Sequence, residues 1–169
     1  DMEEAERKRI EDEAIDLRNY RSEFFGEMKK IIKDLEGIQI VGDRFLFSSE
    51  VLFTSASAEL GLNGKMQIQA VAEQLKKVTE KIPTDIKWIL RVDGHTDSLP
   101  LISINQYKDN WELSQARALA VVKFLIEDVD FPPDKLAATG FGSYQPINLD
   151  RSPEAFSQNR RIELKITEK

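Results

Sequence analysis

Asp97, Asn110 and Arg117 fall within one stretch, DGHTDSLPLISINQYKDNWELSQARA, which runs from Asp93 to Ala118 and also holds the chain's single histidine, His95. The apolar pattern after Ser114 predicts a helix capped by that serine, with Arg117 in its first turn. A guanidinium there joins the free N–H groups and the positive dipole end of the helix, and together they form a receptor for a carboxylate or phosphate. An acid beside such a receptor repels an anion unless it meets a positive group on the same ligand. Asp97 with Arg117 therefore suits a zwitterion, Asp97 taking an ammonium and Arg117 a carboxylate in bidentate fashion. Asn110 can donate or accept at the same edge, and Asn159-Arg160-Arg161 can bring a second arginine over it. The alternative is that Asp97 and Arg117 pair with each other and pin the loop to the helix, a contact worth ~0–1 kcal/mol at a surface.

His95 has no second histidine, no cysteine and no obvious carboxylate pair to complete a zinc site, and no well-placed serine for a triad. A loop hydrogen bond is expected of it. No catalytic residue, metal ligand or cofactor is read from the sequence.

These residues need a frame. Ile86, Trp88, Leu90 and Val92 alternate with Lys87 and Arg91 and predict a strand that ends at Gly94. If that strand is parallel to a neighbour, Gly94 to Asp97 lie off its carboxyl end, where open α/β sheets place ligands. Helices are predicted from Gly64 to Lys81, stopped by Pro83, and from Ala116 to Glu127. Val51-Leu52-Phe53 reads as a short strand, Ala137-Ala138-Thr139 as a weaker one, and Arg161 to Ile166 as a clear final one. The β-α-β-α-β-β order requires a mixed sheet with helices on one face, an α+β fold of the two-layer α/β sandwich type.

Ahead of this unit, Ile38, Ile40, Phe45 and Phe47 flank Gly42-Asp43 and predict a tight hairpin. From Asp1 to Glu36, the positions Ile10, Ala14, Leu17, Arg21, Phe24, Met28, Ile31 and Leu35 follow an alternating 4–3 spacing, closed by Gly37. That rhythm fits either a dimerising coiled-coil helix, with Arg21 as its one irregular position, or a long amphipathic helix packed on its own domain.

Composition narrows the function. The formal net charge is −6 with 32% charged residues and no basic run, which argues against nucleic acid as a partner. With no cysteine, disulfides and thiolate chemistry are excluded. No window approaches the roughly 20 apolar residues of a membrane span, and the abrupt charged start suggests a piece of something longer.

In order and spacing, VLFTSASAEL, VDGHTDSLP, NWELSQARALAVVKFL, LAATGFGSYQPIN and NRRIELKI resemble the OmpA-like peptidoglycan-binding domain over Val51 to Lys169. The NWELS spelling and the long loop between Asp97 and Asn110 are most similar to the MotB branch of motor stator subunits. The resemblance implies that the ligand is the stem peptide of peptidoglycan, whose diaminopimelate carries an ammonium and a carboxylate on one carbon. It implies that Asp97 and Arg117 hold that head group and that Thr96, Asn110, Asn159 and Arg160 line the same groove. Residues 1–50 would then be a linker segment, and 51–169 the binding domain. It further implies a periplasmic location, a homodimer, and an upstream membrane helix working beside an inner-membrane ion-channel partner. Ala56, where glycine is common, and Ser98-Leu99-Pro100 depart from the family pattern. Other expectations are an outer-membrane or other envelope anchor of the same family, a scaffold acting through the N-terminal helix, and a wall hydrolase using His95 and Asp97.

Overall fold

A computed structural model describes residues 2–31, 35, 37–101 and 106–169. It begins with helix α1 (Met2–Ile31), whose Glu3 and Glu4 at the start and Lys29 and Lys30 at the end complement its dipole. The expected continuation to Glu36 falls on positions 32–34 and 36, which lie outside the described residues, as does the side chain of Ile31. Strands β1 (Ile38–Val41) and β2 (Arg44–Ser48) form the predicted hairpin, with Gly42 at φ +61° supplying the left-handed residue of its turn.

Val51-Leu52-Phe53 is not a strand. Ser49–Leu52 forms a single helical turn, α2, which buries Leu52, and only Phe53 makes a bridge, to Leu60. Three apolar residues in a row satisfy a strand and a buried helical turn equally, so periodicity had nothing to separate them with. There follow α3 (Leu62–Thr79), β3 (Trp88–His95), α4 (Asn110–Glu127), a 3₁₀ turn at Pro133–Lys135, β4 (Leu136–Gly140), α5 (Pro153–Asn159) and β5 (Arg161–Glu168).

The five strands form one mixed sheet in the order β1-β2-β5-β3-β4. β3 is parallel to β4, while β5 runs antiparallel to both β3 and β2. One face is apolar: Phe45, Phe47, Leu90, Val92, Ile162, Leu164 and Ile166 pack with residues of α1, α3 and α4 in a continuous core. This is the expected two-layer α/β sandwich.

α1 belongs to that core from Leu17 onward. Leu17, Phe24 and Met28 are buried, and Phe24 and Phe25 stand 4.9 and 4.8 Å from the Phe45 ring. Arg21, the irregular seam position, donates to the Ile166 carbonyl at 2.9 Å. From Leu17 to Met28 the seam is therefore intramolecular, while Ile10 remains 55% exposed.

Candidate functional site

Helix α4 starts at Asn110, six residues before the expected position, because Asp109 caps it: its side chain accepts from Glu112 N–H at 2.9 Å. Ser114 lies inside the helix, where its hydroxyl donates to the Trp111 carbonyl and accepts from Gly142 N–H. Arg117 is consequently about two turns in, and the N-terminal N–H groups of α4 are not its neighbours. The expected joint receptor of helix N-terminus and arginine is therefore not formed.

Two glycines let α4 cross the strand ends closely. A Cβ on Gly94 would lie 2.1 Å from the Ser114 carbonyl oxygen, and one on Gly140 would lie 2.7 Å from Gln115 N. That approach brings the loop after β3 over the flank of α4. The resulting cleft, about 410 Å³, is lined by Thr96, Asp97, Leu99, Asn110, Arg117 and Arg160, together with Glu50 and the 53–56 segment.

Five of the six residues expected at the site thus meet: Thr96, Asp97, Asn110, Arg117 and Arg160. Asn159 is not among the lining residues. Its side chain is buried and accepts from Ile147 and Asn148 N–H while donating to the Asn148 carbonyl, so it ties the 147–148 loop to α5. Thr96 donates its hydroxyl to the Asp97 carbonyl, and the Asn110 amide donates to the carbonyls of Asp97 and Leu99, so both shape the loop.

The charges divide into two poles. Asp97 accepts Leu99 N–H on Oδ1 at 3.0 Å and the Arg160 guanidinium on Oδ2 at 2.5 Å. Arg160 also binds the Glu50 carboxylate. Glu50 and Asp97 share one arginine, leaving that end of the cleft one negative charge in excess. Opposite stands Arg117, 7% exposed, with Nε donating to the Ser57 carbonyl at 2.8 Å and its guanidinium 5.0 Å over the Phe53 ring. Among the described residues no carboxylate lies within ion-pair distance of Arg117, so the proposed Asp97–Arg117 pairing is not formed. Burial and then the nearby Arg160 lower the Arg117 pKa to about 10, which still leaves it cationic at neutral pH.

Glu50 escaped sequence reasoning because nothing local marks it; only the fold brings it to a residue 110 positions away. Ala56 carries a signal that could be read. It sits at φ +54°, a left-handed conformation that favours glycine, just before the Ser57 carbonyl that accepts from Arg117.

His95 lies elsewhere, on the polar face of the sheet. It is buried, stacks on Phe141 with ring centroids 4.9 Å apart, and has no hydrogen bond on either ring nitrogen, contrary to the expected loop bond. Its neighbours include the carboxylate pair that sequence spacing did not reveal, since Asp93 and Glu163 face each other across β3 and β5. The donor atoms of Asp93, His95 and Glu163 lie within 4.8 Å of one another, a spacing a metal ion would accept. Guanidinium groups already hold these carboxylates: Arg91 binds Asp93, and Arg44 and Arg161 bind Glu163. With three arginines against two carboxylates, a divalent cation would enter a positively charged pocket. Burial and Arg161 depress the His95 pKa to about 4, keeping it neutral.

A mixed sheet closed by a central antiparallel β5, with a polar cleft where β3 meets α4, defines a class of α+β domain, and comparison assigns it. The profile of the OmpA family matches residues 52–160, and the chain belongs to that family. It is similar to motility protein B of Bacillus subtilis, 28% identical over 89% of this chain and 56% of the relative. The peptidoglycan-binding protein ArfA of Mycobacterium bovis is 29% identical over 67% of this chain and 33% of its own length. In fold it is similar to a MotB-like protein of Desulfovibrio vulgaris, with a TM-score of 0.79 at 23% identity, covering 92% of this chain and 96% of that one. The chain spans about half the length of the first curated relatives it matches.

Proposed function

We propose that this chain is a non-catalytic periplasmic module that binds peptidoglycan by holding the diaminopimelate of a stem peptide in the cleft. The carboxylate on that carbon meets Arg117 and the ammonium meets the Asp97–Glu50 end, with Thr96, Asn110 and Arg160 shaping the groove, while Asn159 ties the 147–148 loop to α5 outside it. One observation carries the reading: a buried, cationic Arg117 without a carboxylate partner among the described residues faces a pole with one excess negative charge. A zwitterion neutralises both ends at once, whereas a simple anion or cation satisfies only one. A hydrolase reading finds less support, because His95 is buried behind Phe141 and does not line the cleft.

In the parent protein we place an upstream membrane-spanning helix ahead of this module; the 51–169 unit carries α1 and the β1–β2 hairpin packed onto it, so residues 1–50 contribute to its core and sheet. The similarity to motility protein B supports a stator-type complex beside an inner-membrane ion channel. No helix of the described residues is long and apolar enough to cross a membrane. A homodimer would form through the half of α1 before Leu17, where Ile10 and Ile15 are exposed.

Titration of the purified chain with a diaminopimelate-containing stem peptide tests the site. Saturable binding that Arg117→Ala abolishes, with circular dichroism unchanged, is the expected result. Equal binding by wild type and Arg117→Ala would sink the assignment.

A further inference from the structure

Outside the lining of the cleft, at the start of α4, lies an aromatic surface that the zwitterion site leaves unused. Trp111 is 50% and Tyr144 67% exposed, and their rings stack with centroids 5.1 Å apart and 24° between planes. Gly142, at φ +62°, lets its loop lie against the indole, since a Cβ there would come within 3.2 Å of the ring. Two large rings stacked in water, rather than folded into the core below them, mark a contact surface.

The position of this ledge is informative. Trp111 directly follows Asn110, which lines the cleft, and the Gly142 carbonyl accepts from the N–H of Thr96, which also lines it, at 2.9 Å. Ledge and cleft therefore share backbone supports on both sides.

We propose that the Trp111–Tyr144 ledge is a carbohydrate subsite that takes a pyranose ring of the glycan strand bearing the cleft-bound peptide. This rests on the proposed function for its choice of polymer. One face of a pyranose presents several C–H bonds whose hydrogens carry partial positive charge, and these match the negative face of a π-system. The hydroxyl and acetamido groups at the sugar's edge need neutral donors and acceptors, and the exposed residue Gln145 follows Tyr144 in sequence. A docked protein would need roughly 800 Å² on each partner, far more than two rings offer.

The chain's other tryptophan, Trp88, is 5% exposed, so the fluorescence of the accessible indole reports on the ledge. The probe is peptide-free glycan strands prepared from amidase-treated wall, run beside free stem peptide and intact sacculi. The expected result is a saturable fluorescence change with peptide-free glycan. Tyr144→Ala should abolish it and Asp97→Ala should leave it intact, while Trp111→Ala and Tyr144→Ala each weaken sacculus binding about 3- to 10-fold without altering stem-peptide affinity. Both rings are exposed, so neither variant should disturb the fold. No response to peptide-free glycan overturns the subsite even if the stem peptide binds. Failure of the stem peptide alone, with the glycan response intact, removes the cleft reading and leaves the ledge standing. Loss of sacculus binding in the ledge variants without any glycan response would assign the rings to another component of the wall and likewise overturn the carbohydrate subsite.

Discussion

Asp97 is held by Arg160, whose Nη1 lies 2.5 Å from Oδ2, and not by the arginine of its own sequence neighbourhood. That pairing leaves this end of the cleft with two carboxylates and one guanidinium. Asp97→Asn is expected to raise the Kd for a diaminopimelate peptide at least about 10-fold, the scale of a lost partly buried charge-assisted bond. Glu50→Gln should cost only about 3-fold, because Glu50 is 53% exposed and screened by water. Calorimetric titration checks both, and a peptide lacking the amino group should bind Glu50→Gln as it binds wild type. A larger loss from Glu50→Gln than from Asp97→Asn would reverse the assignment of the ammonium.

Ala56 holds a left-handed backbone with a Cβ that opposes it. Ala56→Gly relieves that cost, offset partly by the freedom glycine gains in the unfolded chain, and should stabilise by up to about 1 kcal/mol. The readout is a higher urea midpoint at unchanged slope. Destabilisation would mean that neighbouring contacts of the alanine methyl outweigh the strain.

His95 predicts an acid-sensitive fold. Its folded pKa, about 4, lies below the ordinary 6.5, so the unfolded chain binds the proton first. Stability on this account is full above pH 6.5 and falls as pH drops toward 4, by about 2 kcal/mol at pH 5. The raised pKa of Asp93 acts in the opposite sense at lower pH, and Arg161 and Arg44 keep Glu163 ionised. Denaturant midpoints of wild type and His95→Gln between pH 7 and 5 isolate the effect, and parallel curves would show that His95 does not cause it.

The two halves of α1 should respond differently to truncation. Phe24 is 2% exposed and Ile10 55% exposed. Phe24→Ala should cost about 3–5 kcal/mol, as for a buried ring, and Ile10→Ala within about 0.5 kcal/mol in the monomer. Thermal unfolding at low protein concentration makes the comparison, and a small Phe24→Ala effect would mean that α1 adds little to the core.

Much of this was legible in residue spacing. Period-2 alternation located β3 and β5, Gly42-Asp43 the hairpin, and Pro83 the stop after α3. Asp109 was missed as the α4 cap because Ser114, nearer the apolar run, fits the same rule, and the first turn of α4 has only Trp111 and Leu113 to signal periodicity. The cleft residues were legible as types, but their pairing was not. Asp97 and Arg160 are 63 positions apart and Glu50 and Arg160 are 110 apart, distances that only the assembled sheet closes. Asn159 illustrates the converse: an asparagine beside a site arginine turned inward to satisfy backbone N–H groups.

The place of β5 in the sheet bears on how the protein folds. Although it is the last strand in sequence, it lies between β2 and β3, with four residues in register on one side and eight on the other. Until Arg161–Glu168 is in place, the hairpin and the β3–β4 pair have no strand to join them, so neither half of the sheet can close. Folding is therefore governed by long-range contacts, a slow regime in which incompletely folded chains expose apolar strand edges.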